Sequence, residues 1–326
     1  MPQEGHTRDE NMRTLLDRYR GCLLGLAVGD ALGTTLEFTR PGTFTPITDM
    51  VGGGPFGLKP GQWTDDTSMA LCLAESLIVQ SEFNPVDQLE RYCRWYHTGY
   101  LSSTGRCFDI GTTTRQALLE FERERRPYPG STSHHASGNG SLMRLAPVPM
   151  RYRQTPRLGI DYCADSSRTT HGSQAAVDAC RYFGGILIGA LEEASKELLL
   201  SRTYSPVPDL WLESPLHPEV EVVAAGSFKH QHPPQISGSG YVVECLEAAL
   251  WAFEHSSSFE EGALKAVNLG DDADTTGAVY GQIAGAFYGE SGIPKRWLDK
   301  LTMRDYIGEQ AEKLLHLNPV VDNFRD

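Results

Sequence analysis

The sequence predicts an all-α protein, one compact helical bundle with long loops around its site. Three observations carry that expectation. Apolar residues recur at helical spacing along much of the chain. In VVECLEAALWAF at 242–253, for example, Val242, Leu246, Ala249, Leu250 and Phe253 fall on one stripe. Two runs place glycine at every fourth position: Gly21, Gly25, Gly29 and Gly33, then Gly277, Gly281, Gly285 and Gly289. Alternating patterns of the strand kind are scarce, and the best of them, EVEVV at 219–223, is short.

Taken in order, the first twenty residues are polar and lack an apolar segment of the signal-peptide kind. Residues 1–17 are expected to form a polar N-terminal extension, and 18–320 a single domain. The first glycine ladder follows. On a helix, glycine at every fourth residue leaves one nearly bare stripe. Each glycine costs about 1 kcal/mol of helix propensity, so close approach of two helix backbones is expected to offset the loss. Neither ladder is long enough to span a bilayer, and the protein is expected to be soluble and cytoplasmic. Residues 40–62, with GGGPFG, read as a loop. Residues 69–79 are apolar nearly all round, as in a helix buried within a bundle. Helices are also expected over 113–123, 174–192 and 296–316. Loops are expected at 126–141 and over 203–240, a segment rich in Pro, Ser and His.

Composition narrows the function. The 326 residues are 40% hydrophobic and 22% charged, ordinary for a globular protein. Length alone favours two domains, but no loop separates blocks of different composition. The net charge of −13, with no basic run, argues against nucleic-acid partners. Seven cysteines without a CxxC read as buried thiols in a reducing compartment.

Chemistry concentrates in two stretches. WTDDTSMA at 63–70 puts Asp65 and Asp66 between Thr64 and Thr67, at the start of the buried helix. One acid, or Thr64, suffices as an N-cap, and a second carboxylate adds repulsion. NLGDDADTTG at 268–277 repeats the pattern with Asp271, Asp272, Asp274, Thr275 and Thr276, just before the second glycine ladder. Carboxylate and hydroxyl oxygens are hard ligands suited to Mg²⁺ or Mn²⁺. Together the clusters can neutralise two divalent ions. Two unrelated acidic caps, or a stabilising calcium site, are the alternative.

Other candidates are weak taken singly. Glu37 reads as a solvated acid and Asp109 as a loop acid or cap. SGNGS at 137–141 reads as a turn whose N–H groups could cradle a pyrophosphate. His171 reads as a packed histidine and Tyr241 as an interfacial ring at a helix start.

The set GCLLGLAVGDALGTTLEF, LKPGQWTDDTSMALCLAESL, FDIGTTTRQAL, SGNGSLMRLAP, THGSQAAVDA and NLGDDADTTGAVYGQIAGAFYG, in that order, resembles the ADP-ribosylglycohydrolase family. The likeness runs from about residue 18 to about 315 and leans toward the bacterial branch typified by dinitrogenase reductase-activating glycohydrolase. It implies an all-α hydrolase with two Mg²⁺ or Mn²⁺ ions that removes ADP-ribose from protein side chains, most readily arginine. It implies one ion on Thr64, Asp65, Asp66 and Asp274, and a second on Asp272, Asp274 and Thr275. Glu37 and Asp109 are implied as the acid/base and charge-stabilising pair. Gly138, Asn139, Gly140, Ser141, His171 and Tyr241 are implied as ligand-binding. Asp271 stands where relatives often carry a small residue, and an outer place is expected for it. The rival readings are an inactive ADP-ribose-binding relative, a hydrolase of serine-linked or O-acetyl ADP-ribose, and an Asp-rich diphosphate lyase. The usual DDxxD spacing of such lyases is absent.

Overall fold

The computed structural model describes residues 3–317, with side chains from residue 12 onward. The chain passes through α1 (Gln3–Gly33), α2 (Asp65–Gln80), α3 (Pro85–Thr98) and α4 (Thr112–Glu124). Next come α5 (Pro147–Arg151), α6 (Pro156–Arg168), α7 (Gln174–Leu191) and α8 (Lys196–Leu199). After α9 (Leu210–Glu213) and α10 (Pro218–Ala224) follow α11 (Val242–Glu254) and α12 (Phe259–Val267). The last are α13 (Ala273–Tyr288), α14 (Lys295–Leu298) and α15 (Arg304–His316). Among the described residues, strand pairing is limited to isolated bridges such as Thr39 with Asp271 and Gly138 with Tyr241. No described helix is long and apolar enough to cross a membrane.

The two glycine ladders lie against each other, antiparallel, as the axis of the bundle. Gly21 meets the carbonyl of Gly285, Gly25 that of Gly281, and Gly29 that of Gly277. Gly33 meets Ala273 and the Cα of Asp274. At each of these positions a Cβ would fall onto the partner's backbone. The expected close approach of two helices is therefore what the glycines provide. Arg18 of α1 donates to the carbonyls of Ala286 and Phe287 at 3.0 and 2.8 Å, satisfying two carbonyls in the last turn of α13. Around this pair, α2 is largely buried and α7 is buried from Ala175 to Leu191. Six of the cysteines are buried free thiols, and Cys107 is half-buried.

Three local expectations need correction. EVEVV is helical, within α10. Pro218 starts the helix, the His217 side chain accepts from the Glu219 N–H, and Val220 and Val223 are buried three residues apart. A short amphipathic turn thus beats the strand-like alternation, because α10 packs against α7 and α11. The segment 203–240 is consequently not a plain loop. The helix expected over 296–316 is broken: α14 ends at Leu298, and Met303 takes a left-handed φ of 56° before α15. Residues 3–17 continue α1 without a break. The expected domain limit at 320 lies outside the described residues.

Candidate active site

The site is built where α1, α2 and α13 converge. α1 contributes Asp30, fully buried, in the middle of GLAVGDALG. Its Oδ1 accepts from the N–H and hydroxyl of Thr64 at 2.8 and 2.9 Å. Its Oδ2 accepts from the N–H and hydroxyl of Thr67 at 3.0 and 2.6 Å. The start of α2 is therefore capped from another helix. Thr64 holds the N-cap position but makes no side-chain cap bond of its own. The expected local cap by Thr64 or Asp65 is replaced, and Asp65 and Asp66 are left available for other work.

α13 contributes the other half. Asp272 stands at its N-cap position and Asp274 in its first turn. Thr64 Oγ1 lies 3.1 Å from Asp66 Oδ2 and 3.1 Å from Asp274 Oδ2. A hydroxyl carries one proton. If Asp30 receives it, two carboxylate oxygens face a lone pair. Asp66 Oδ1, Asp274 Oδ1 and Glu37 Oε2 are moreover buried without a hydrogen-bond partner. Orphaned buried acceptors are costly, and a cation is what would satisfy them. Asp274 belongs to two constellations whose donor oxygens lie within 4.8 Å of one another: with Asp30 and Asp66, and with Glu37 and Asp109. An all-oxygen donor set of this kind fits Mg²⁺ or Mn²⁺. Asp30, with both oxygens accepting two hydrogen bonds, orients its neighbours and is not a free ligand.

Electrostatics tell the same story. Burial, then neighbouring carboxylates, pushes Asp65, Asp66 and Asp274 well above the ordinary carboxylate range. Burial raises Asp272 too, and Asp30 to about 6. Glu37 is pushed up to about 10 by burial and by the charge of Asp109, while burial raises Asp109 to about 7. The hydrogen bond between these two raises Glu37 and lowers Asp109. Asp109 sits at a left-handed φ of 62°, a strained setting common at functional sites.

These acids floor and flank a cleft of about 560 Å³. Glu37, Asp65, Asp109, Asp272 and Thr275 line it from one side. Gly138, Asn139, Gly140 and His171 line it too. Thr64, Asp66 and Asp274 are buried below that lining. Asn139 donates from Nδ2 to Asp272 at 2.7 Å, and its N–H goes to the Gly240 carbonyl at 3.1 Å. It therefore positions the loop and the acid, and its own N–H is not free for a phosphate. Glycine is required at 140, where a Cβ would lie 2.8 Å from His171 Cε1.

Buried Arg144, which the sequence reading did not single out, organises this wall. It donates to the Gly140 carbonyl at 2.7 Å and to the Thr170 hydroxyl at 2.8 Å. Thr170 Oγ1 in turn lies 2.8 Å from His171 Nδ1. The chain from Arg144 through Thr170 to Nδ1 fixes the orientation of the His171 ring. Burial and then Arg144 depress His171 to about 3, so it stays neutral and offers one N–H donor.

Two expected ligand residues are placed differently. The Ser141 side chain is fully buried, 2.8 Å from Ser167 Oγ, and does not reach the cleft. Tyr241 lines an adjoining depression of about 410 Å³ with Ser137 and Ser173, and donates to Glu219 at 2.9 Å. A further cavity of about 480 Å³, beside Trp211 in the 203–225 region, shares no lining residue with the acidic cleft. Asp30 was visible in the sequence as a lone acid inside a glycine-striped apolar helix. Arg144 carried no comparable mark.

An all-α fold whose central helix pair gathers buried acids under a cleft is what this chain shares with one class of hydrolases. The ADP-ribosylglycohydrolase family model matches residues 11–323, and the chain belongs to that family. It is 43% identical over 307 residues to the ADP-ribosylarginine hydrolase Tri1 of Serratia proteamaculans (strain 568), covering 94% of this chain and 81% of that protein. It is 32% identical to the ADP-ribosyl-[dinitrogen reductase] glycohydrolase of Rhodospirillum rubrum, covering 92% and 96%. A solved structure described as an ADP-ribosylglycohydrolase-related protein complex superposes with a TM-score of 0.82 at 44% identity, covering 94% of this chain and 99% of that one.

Proposed function

We propose that the chain hydrolyses the N-glycosidic bond between ADP-ribose and arginine in mono-ADP-ribosylated protein, with two divalent cations, Mg²⁺ or Mn²⁺. The observation that carries this reading is the convergence of Glu37, Asp65, Asp66, Asp109, Asp272 and Asp274 on one cleft. Burial, reinforced for most of them by neighbouring carboxylates, raises all six above the ordinary carboxylate range, and bound cations would favour their charged forms. The choice of arginine is supported by the 43% identity to an arginine-linked hydrolase.

Thr64, Asp65, Asp66 and Asp274 would hold one ion, and Asp272, Asp274 and Thr275 the other. When bound, the ions would supply electrostatic stabilisation at the ribose hydroxyls beside the scissile bond. The chain's own groups do the rest. The glycine loop and the His171 N–H bind the nucleotide and fix its place, so the anomeric carbon sits over the acids. Glu37 and Asp109, holding one proton between them, serve the proton transfer. The C–N bond breaks, water oxygen joins the anomeric carbon, and a proton passes to the departing guanidine nitrogen.

The test is release of ADP-ribose from arginine-, serine- and O-acetyl-linked forms with Mg²⁺, Mn²⁺ or EDTA. Release from the arginine form with either metal and not with EDTA is expected. Silence on all three substrates under both metals would sink the reading.

A second expectation needs no substrate. Carboxyls raised above their unfolded value of about 4 add stability below that pH and lose it as pH rises through their folded values. Those are about 6 for Asp30, about 7 for Asp109 and about 10 for Glu37. The Tm of metal-free protein should therefore fall between about pH 5 and pH 9, and Mn²⁺ should restore more of it at the upper end, where ligands are ionised. A Tm that rises with pH in EDTA would refute the account.

A further inference from the structure

Phe38, next to Glu37, is hard to explain as part of the fold. It is 67% exposed, and it takes a left-handed φ of 58°. Bulky side chains avoid that conformation, and an exposed ring forgoes the gain of burial. Both costs are held in place by backbone bonds. The Phe38 N–H donates to the Asp271 carbonyl at 2.7 Å, and the Asp271 N–H donates to the Thr39 carbonyl at 2.8 Å. Asp271 is itself left-handed, at 57°. This two-bond clamp presents the ring and Asp271 together at the cleft, beside Glu37 and Asp109.

We infer that Phe38 is the acceptor-binding residue of the cleft, stacking its ring on the planar guanidinium of the modified arginine, with Asp271 supplying charge beside it. This rests on the arginine hydrolase reading given above. Three features favour it. An aromatic face attracts a cation, and a guanidinium most of all when it can lie flat. The neighbouring residue, Glu37, belongs to the acid constellation where the bond breaks, so the ring stands at the reacting end. The nucleotide's wall is different: it is made by Gly138, Gly140 and His171. The position of Asp271, which the metal assignment leaves unused, also finds a purpose here.

The contact would form in substrate and transition state alike, so its loss should appear in KM more than in kcat. The test uses full-length wild type, Phe38→Ala and Phe38→Trp with Mn²⁺. It measures KM and kcat on ADP-ribosylarginine, and the affinity for free ADP-ribose by calorimetry. We expect Phe38→Ala to raise KM about tenfold with kcat within about twofold, and Phe38→Trp to restore KM. Free ADP-ribose should bind all three equally. Unchanged KM in Phe38→Ala would overturn the inference. So would a matching loss of ADP-ribose affinity, which would place the ring on the product. If wild type itself releases no ADP-ribose, the hydrolase reading fails and takes the acceptor site with it. If wild type is active and only the Phe38 pattern is absent, the acceptor site alone fails.

Discussion

Asp274→Asn is expected to lower kcat/KM on ADP-ribosylarginine by at least about a thousandfold, equivalent to ~4 kcal/mol of barrier, while the helices still form. Among the described residues, Asp274 is the acid shared by both oxygen constellations. It is 1% exposed, with one oxygen 3.1 Å from Thr64 and the other without a partner. Asparagine has almost the same shape, so packing survives. It removes a charge and presents an N–H₂ where an acceptor is needed. The same change should raise the Tm of metal-free protein, because the acid it replaces is held far above its ordinary range by burial and by Asp66. It should also abolish the Tm gain from Mn²⁺. Asp66→Asn should behave alike, since Asp66 too is fully buried with an orphaned oxygen. Gain of metal-free stability with loss of activity separates a functional site from a structural one. Near-wild-type activity in both variants would refute the shared site.

Much of this was written in local pattern. TDDT and DDADTT each put acids at the mouth of a buried helix, and the excess of charge over what a cap needs marked them. The glycine ladders announced a tight helix pair because four-residue spacing has only one geometric meaning on a helix. What stayed hidden depends on contacts between distant segments. Asp30 caps α2 across a gap of 34 residues to Thr64, and a cap supplied in trans leaves no signature beside the helix it serves. Arg144 is fully buried because the 140 loop and the 166–170 turn meet around it. An arginine in LMRLAP reads as a surface charge. EVEVV alternates like a strand, yet a proline at its start and two neighbouring helices decide for α10. The orientation of Ser141 likewise follows from packing on Ser167. Residue types proposed the chemistry, and tertiary contacts chose which atoms face it.

The ladders also set the dimensions of the site, and this gives the second large effect. Gly29→Ala should destabilise the fold by at least about 4 kcal/mol, enough to prevent folding in a marginally stable protein. Helix propensity alone predicts the opposite sign, a gain of about 1 kcal/mol. The added methyl, however, would fall on the Gly277 carbonyl, which is backbone and cannot turn aside. Overpacking that only a backbone shift can relieve is costly. As a contrast, a Cβ at Gly111 meets nothing within 4 Å, so Gly111→Ala should leave the Tm nearly unchanged. The last rung separates fold from function. At Gly33 a Cβ would meet Ala273 and the Cα of Asp274, at the end of the pair. The helices can splay there more easily than at Gly29, so Gly33→Ala should fold with a lowered Tm. Even a modest splay moves Asp274 away from Thr64 and Asp66, which α1 holds through Asp30. Gly33→Ala is therefore expected to lose most of the Mn²⁺-induced rise in Tm and most of the activity, without changing any side chain in the cleft. Wild-type metal response in Gly33→Ala would show that the ladder sets only stability and not the spacing of the acids.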